Sequence, residues 1–304
     1  MPTIAVLIPC YNEHLTIAKV VEDFTRHLPT AQIYVFDNNS RDGSADKARQ
    51  AGATVIASRR QGKGYVVRHM FAAVDADLYV MVDGDDTYPA EEAGRLIHLA
   101  ELTGADMVVA TRLQDFSEQS FRLFHNFGNR LVASLISRLF KVRVTDVLSG
   151  YRVFSREFVK TVPLTSAGFE IETEMTLQAA SKNFLIVEQQ VAYRARPTGS
   201  TSKLNTYRDG AIILRALFSI CKHYRPLLFF SGLSGVIALG ALAAGLVPIA
   251  DYIETKYVSH VPLAILAVGL SILASLALAI GLILDSAVKY HNESFELWKR
   301  TLKK

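Results

Sequence analysis

The chain has 304 residues, a formal net charge of +4 and two cysteines. That length accommodates one large domain with something added. Cys10 and Cys221 exclude a disulfide framework and fit a reducing, cytosolic setting, and the positive balance is too small to argue for a nucleic-acid partner.

Thr3 to Ile8 is a β-rich run, and Pro9-Cys10-Tyr11-Asn12-Glu13 follows it. The run has no basic start and stops at Pro9, which is not the pattern of a signal peptide. Helical spacing resumes at Ile17, Val20, Val21 and Phe24. The unit reads as β–loop–α, so a doubly wound α/β fold is expected. The loop lacks both G-x-G-x-x-G and the P-loop pattern, which disfavours NAD. Gln32 to Phe36 is the second strand, ending at Asp37, with the turn-rich loop Asn38 to Ser44 after it. Asp37 can accept hydrogen bonds from a ribose or a base; helix capping accounts for the loop equally well. The third strand is Thr54 to Ala57. Ser58 to Gly64 follows, a basic loop whose Gly-Lys-Gly can approach phosphate with backbone N–H groups and the Lys63 cation.

The fourth strand, Leu78 to Val82, ends in Asp83, Asp85 and Asp86, then Thr87, Tyr88 and Pro89. Carboxylates this close repel unless a cation joins them. Mg²⁺ or Mn²⁺ suits such oxygens, with one or two carboxylates plus substrate phosphates as ligands. A solvated acidic turn capping the next helix is the alternative. Met107 to Ala110 is the fifth strand and delivers Thr111-Arg112. Every strand thus carries polar residues at its carboxyl end, where ligands bind in open α/β sheets.

Phe121 to Phe140 reads as a helix holding Arg122, Asn126, Asn129, Arg130 and Arg138. Thr145 to Arg152 is a polar turn, and Gly168 to Glu172 opens another helix. Leu185 to Tyr193 is a strand ending in Arg194-Ala195-Arg196, with Gly199 to Leu204 beyond it. Arg208, Arg215 and Lys222 recur every seven residues, so 205–225 reads as a basic amphipathic helix suited to a bilayer interface. The stretches 226–250 and 261–284 carry no charge, and each can span a bilayer core of roughly 30 Å. Basic residues flank the pair while the loop between has no positive excess, so both ends are expected in the cytosol.

Pro9 to Glu13, Asp37 to Ser44 and Asp83-Gly84-Asp85 together resemble the inverting glycosyltransferases of family 2, which have the GT-A fold. Asp146-Val147-Leu148-Ser149-Gly150 resembles the D-x-x-S-G element of polyprenyl-phosphate glycosyltransferases. Gly199 to Leu204 is similar to their G-x-S-K-L element, with one extra residue. The resemblance implies a GT-A catalytic domain over 1–204, an interface helix over 205–225, two spans within 226–285 and a cytosolic tail over 286–304. It implies a nucleotide pocket of Pro9, Tyr11, Glu13, Asp37, Asn39, Lys63, Asp83, Gly84 and Arg112. Asp83 and Asp85 become the D-x-D pair at the sugar and metal. Thr87 stands where dolichol-phosphate mannose synthases place a metal-contacting glutamine. Arg122, Asn129, Arg196, Ser202 and Lys203 become candidates for the acceptor phosphate.

The implied reaction moves one hexose or N-acetylhexosamine from a UDP-sugar, or from GDP-mannose, to undecaprenyl or dolichyl phosphate at the cytosolic leaflet. Mg²⁺ or Mn²⁺ is the implied cofactor, and a homo-tetramer is the implied assembly. A phosphate acceptor is already deprotonated, so Asp146 is expected to orient an arginine, such as Arg122 or Arg196, rather than act as a base. Two rivals are a processive polysaccharide synthase and a non-catalytic membrane scaffold. The synthase carries Q-x-x-R-W, whereas the lone tryptophan here, Trp298, sits in Glu-Leu-Trp-Lys. The scaffold predicts an eroded acidic cluster, and this one is intact. A sugar nucleotidyltransferase needs a glycine-rich N-terminal loop, which Pro9 to Glu13 is not.

Overall fold

A computed structural model describes residues 2–112, 121–168, 170–194, 218 and 220–302. The chain divides into two compact units, Met1–Gly210 and Ala211–Lys304.

The first unit is built on a seven-stranded sheet. Its strands are β1 (Ile4–Cys10), β2 (Gln32–Asp37), β3 (Thr54–Ala57), β4 (Leu78–Met81), β5 (Met107–Arg112), β6 (Arg152–Ser155) and β7 (Ile186–Val191). The spatial order is β3-β2-β1-β4-β6-β5-β7. β1 reads Ile-Ala-Val-Leu-Ile-Pro-Cys because it is central and covered on both faces. Alternate residues serve opposite faces. Val6, Ile8 and Cys10 meet α1 (Ile17–His27), α2 (Ser44–Gln50) and α4 (Ala93–Thr103) through Ile17, Val20, Phe24, Ala48 and Leu96. The opposite face carries α3 (Lys63–Ala73) and α6 (Arg156–Thr161), where Phe71, Phe154, Phe158 and Phe184 pack ring against ring at 5.1–5.4 Å.

β6 was not legible as a strand in the sequence. It is four residues long and follows directly on the Thr145–Tyr151 turn. It runs antiparallel between β4 and β5, with Met81 opposite Arg152 and Val108 opposite Val153. This reversal brings the residues before β6 to the sheet edge where β4 and β5 end. The strand order turns back at β1, so the ends of β1 and β4 flank a crevice, the usual ligand position in such sheets. Pro9 lies past Leu7, the last β1 residue registered with β4. Its missing N–H falls where the two strands have parted.

Helix α5 covers Phe121–Phe140, as the spacing predicts, and α7 covers Ile171–Ser181. In the second unit α8 (Pro226–Thr255) and α9 (Val261–Leu302) form an antiparallel hairpin. Phe230 lies against Gly281, the Ser234 hydroxyl donates to the Ala274 carbonyl at 2.8 Å, and Gly245 lies against Ala267. Small residues at these crossings let the backbones approach closely. Both helices are long and apolar enough to cross a membrane, with mean hydropathy 2.1 and 2.6. They outrun the uncharged stretches: α8 continues to Thr255 and α9 to Leu302. No glycine or proline interrupts 285–302, so the helix does not stop at Leu284 and the expected tail is its continuation. Most of the expected interface helix over 205–225 lies outside the described residues.

Candidate functional site

The loops after β1, β2 and β4 are laced together. The Asn12 N–H donates to Ser40 Oγ and the Glu13 N–H to Ser44 Oγ, both at 2.9 Å. Asn12 Oδ1 accepts from the Arg41 N–H at 2.9 Å, and Thr16 Oγ1 donates to the Gly84 carbonyl at 2.7 Å. Asn12, Asn39 and Asp86 have φ of 54°, 66° and 56°. Such left-handed backbone is uncommon outside glycine and collects at functional sites. These ties hold Asn12, Glu13, Ser40, Ser44 and Gly84 together beside the carboxyl ends of β1, β2 and β4. Asp37 accepts from the Ser40 N–H at 3.3 Å. Cys10 beneath it is inert: burial, then Asp37 and Glu13, push its thiol up to about 12.

Two further asparagines hold the basic loop. Asn39 Nδ2 donates to the Arg59 carbonyl at 3.0 Å. Asn38, which sequence reasoning passed over, is buried. Its Nδ2 donates to the carbonyls of Ser58 and Arg60 at 2.9 and 2.7 Å, and its Oδ1 accepts from the Gly62 N–H at 2.8 Å. The Gly-Lys-Gly of this loop is not the open cradle that its glycines suggest. The Gly64 N–H donates to the Ala167 carbonyl at 3.1 Å. A Cβ on Gly62 or Gly64 would lie 2.3 or 2.2 Å from the carbonyl oxygens of Ala167 and Ser166. The glycines are needed for that backbone crossing, and its product is the placement of Lys63. The largely buried ammonium lies 2.6 Å from Asp83 Oδ1 and 2.5 Å from Glu172 Oε1. Burial alone would lower its pKa, but the two carboxylates outweigh burial and hold it protonated.

The three acids after β4 have different protein partners. Asp83 pairs with Lys63, and Asp86 pairs with Lys19 at 2.7 Å. Asp85 is buried, and its Oδ1 accepts from Thr87 Oγ1 at 2.6 Å and from the Thr87 N–H at 3.3 Å. Among the described residues no three His, Cys, Asp or Glu side chains are grouped as a metal site complete in itself. Asp83 and Asp85 could supply the one or two carboxylates that Mg²⁺ or Mn²⁺ takes when phosphate oxygens complete its shell. The donor set fits a cation that arrives with a phosphate-bearing ligand.

The turn before β6 forms the opposite wall. Arg112, at the end of β5, donates through Nε to Asp146 Oδ2 at 2.8 Å and through Nη2 to Oδ1 at 2.9 Å. Asn129 on α5 donates to the same carboxylate at 3.1 Å, and the Arg112 guanidinium lies 5.6 Å over the Tyr193 ring. Burial raises the Asp146 pKa, but the Arg112 bonds and charge overcome this and leave it below the ordinary value. Among the described residues the arginine paired with Asp146 is Arg112. The Arg122 side chain, Arg196, Ser202 and Lys203 lie outside the described residues.

The walls touch. Tyr88 Oη accepts from the Gly150 N–H at 3.2 Å and lies 3.3 Å from Ser149 Oγ. A Cβ on Gly150 would lie 2.2 Å from Asp83 Oδ2. Beneath them Arg152 is fully buried and donates to the carbonyls of Val147 and Ser149 and to Thr176 Oγ1, each at 2.9 Å. Glu188 on β7 accepts from Thr145 Oγ1 at 2.8 Å and from the Thr145 N–H at 2.7 Å. Glu172, Tyr88, Arg152 and Glu188 carry no motif. The one available signal was Glu172, a carboxylate in a helix otherwise rich in buried apolar residues.

A mostly parallel sheet of this order, with an acidic end on β4 and an arginine-carboxylate turn beside it, defines a GT-A-like transferase fold. The sequence profile of glycosyl transferase family 2 matches residues 5–162, and the chain belongs to that family. It is 33% identical over 305 residues to glycosyltransferase AglJ of Haloferax volcanii, covering 97% of this chain and 98% of the relative. A dolichyl-phosphate hexose transferase of the same organism is 31% identical, over 73% of this chain and 95% of its own. The fold is that of glucosyl-3-phosphoglycerate synthase from Mycobacterium tuberculosis in complex with Mn²⁺, UDP and glucosyl-3-phosphoglycerate. That structure has a TM-score of 0.58 at 22% identity and covers 73% of this chain and 79% of its own.

Proposed function

We propose that this glycosyltransferase moves a single hexose or N-acetylhexosamine, with inversion, from a UDP-sugar to a polyprenyl phosphate at the cytosolic face of a membrane. The contact between Gly150 and Asp83 carries the reading. It joins the acidic wall, suited to a sugar diphosphate and its cation, to a wall that presents an aligned arginine, suited to a phosphate acceptor. The relative that acts on dolichyl phosphate and the structural neighbour crystallised with UDP and Mn²⁺ support the two halves.

In this reading Pro9, Tyr11, Glu13, Asp37 and Asn39 receive the nucleoside. Asp83 and Asp85 would hold Mg²⁺ or Mn²⁺, which neutralises charge developing on the departing nucleoside diphosphate. Thr87 fixes Asp85 for that task through its hydroxyl. Lys63 adds a permanent positive charge next to Asp83, and Glu172 keeps it aimed there. Arg112, held flat by Asp146 through Nε and Nη2, offers its remaining Nη1 and Nη2 hydrogens to an anion. Arg122, Asn129, Arg196, Ser202 and Lys203 complete the acceptor's phosphate site. The lipid phosphate carries about −1.5 to −2 charge at neutral pH, so its attacking oxygen needs no base. The helices α8 and α9 span the bilayer with both ends cytosolic, 205–225 lies along the interface, and the copies assemble as a tetramer.

A donor screen tests this. Membranes holding the protein receive radiolabelled sugar nucleotides, Mg²⁺ or Mn²⁺, and undecaprenyl or dolichyl phosphate. Label in the organic phase that depends on added lipid phosphate is the expected result and identifies the donor. No label from any donor overturns the reading.

A further inference from the structure

A second basic feature lies on α3 and the loop before it. A cavity of about 510 Å³ is lined by Ala57, Ser58, Arg59, Arg60, Tyr65, Arg68 and His69. No carboxylate lines it. Among the described residues, Arg59, Arg60 and Arg68 form no ion pair, although other surface arginines such as Arg26, Arg49 and Arg156 do. The cavity is built rather than incidental. The Arg59 and Arg60 carbonyls are pinned by Asn39 and Asn38 at 3.0 and 2.7 Å. The Arg60 and Arg68 guanidinium groups lie 5.2 and 5.7 Å from the centre of one ring, Tyr65. His69 is held edge-on against Phe36 at 5.2 Å.

Like charges gathered without a counter-charge repel, and an anion removes that cost. The guanidinium fork matches phosphate oxygens in pairs, and stacking on an aromatic ring pre-aligns it. The volume falls in the range of small-ligand sites, about 300–1,000 Å³. At 3.6 residues per helical turn, Tyr65, Arg68 and His69 project from α3 at about 140–240° from Lys63. These α3 residues of the cavity therefore lie on the helix face opposite Lys63.

We propose that this cavity is a second anion site that takes a phosphate-bearing ligand, distinct from the donor crevice. The phosphate belongs either to a free phosphate compound or to an anionic lipid headgroup.

The test reads the arginines directly. The full-length protein in neutral detergent is treated with phenylglyoxal, and modification of each arginine is followed by mass spectrometry. Inorganic pyrophosphate is the free-phosphate probe. Nanodiscs with phosphatidylglycerol, against phosphatidylcholine alone, are the headgroup probe. Arg59, Arg60 and Arg68 are expected to be protected together, about tenfold at ten times the dissociation constant, while Arg26 and Arg49 are unaffected. Protection by pyrophosphate assigns the site to a free compound; protection only by the anionic nanodiscs assigns it to a headgroup. Protection must survive saturating UDP with Mn²⁺ and vanish in Arg60→Gln/Arg68→Gln for the residual Arg59. Absence of protection by both probes, or protection by UDP and Mn²⁺ alone, overturns the proposal.

Discussion

Gly150 and Asp83 are in contact across the site: a Cβ at Gly150 would lie 2.2 Å from Asp83 Oδ2 and 2.8 Å from its carboxyl carbon. One methyl group is therefore enough to move the carboxylate. Gly150→Ala should lower turnover by roughly 10²-fold, the scale of a 1 Å misplacement, while the melting temperature stays close to the parent's. Near-parental kcat in this variant would show that Asp83 is not held where catalysis needs it.

The D-x-D pair should make turnover metal-dependent. Asp85→Asn is expected to lose at least ~100-fold in rate, as on removal of one strong electrostatic stabiliser. Excess chelator should abolish activity in the parent, and Mn²⁺ or Mg²⁺ should restore it. Thr87→Val removes the 2.6 Å hydrogen bond to Asp85 and should weaken metal activation with a smaller fall in rate. Full activity in chelator would refute the assignment.

Lys63 is fixed between Asp83 and Glu172. Lys63→Met leaves buried carboxylate unpaired and should destabilise by about 3–5 kcal/mol. Adding Glu172→Leu removes the more deeply buried carboxylate and should recover part of that loss. Chemical denaturation of the parent, both single variants and the double variant in detergent measures the coupling. Additive losses would mean that the lysine and Glu172 are not coupled.

Asp146 makes opposite demands on kinetics and on stability. Its folded pKa is depressed, so its stabilisation is complete above the ordinary aspartate range and is lost as pH falls through the folded value. Asp146→Asn should therefore be less stable than the parent at neutral pH and approach it below about pH 4. In turnover the variant should raise the acceptor KM, because asparagine cannot accept both Arg112 bonds with full charge. The acid limb of the pH–rate profile should stay near the lipid phosphate's own pKa of about 6. Loss of kcat together with that limb, at unchanged KM, would make Asp146 a general base.

The hairpin topology is open to labelling. Single cysteines at positions 256 and 303, with Cys10 and Cys221 replaced, are exposed to an impermeant thiol reagent on intact cells. Position 256 should react and position 303 should not. The reverse pattern would overturn the orientation.

Much of the frame was written locally. Strands β1 to β5 announce themselves as short apolar runs that stop at polar residues, because a buried parallel strand must be apolar on both faces and its ligand-facing end must not be. The acidic triplet, Pro9, Asp37 and the two long uncharged stretches could be read for the same reason: their chemistry is confined to a few consecutive residues. The partners could not. That Asp86 belongs to Lys19 and Asp83 to Lys63, that the Gly-Lys-Gly glycines serve a backbone crossing with Ser166 and Ala167, and that Asp146 aligns Arg112 are all contacts between distant segments. The last of these follows from one topological event, the antiparallel insertion of β6 between β4 and β5. Four residues, Arg152 to Ser155, carry too little periodicity to reveal a strand or its direction. Yet that direction alone delivers the Asp146–Gly150 turn to the carboxyl ends of its neighbours. Composition determined which chemistry the chain possesses; the sheet decided which groups meet, because strand pairing joins segments that the sequence keeps far apart.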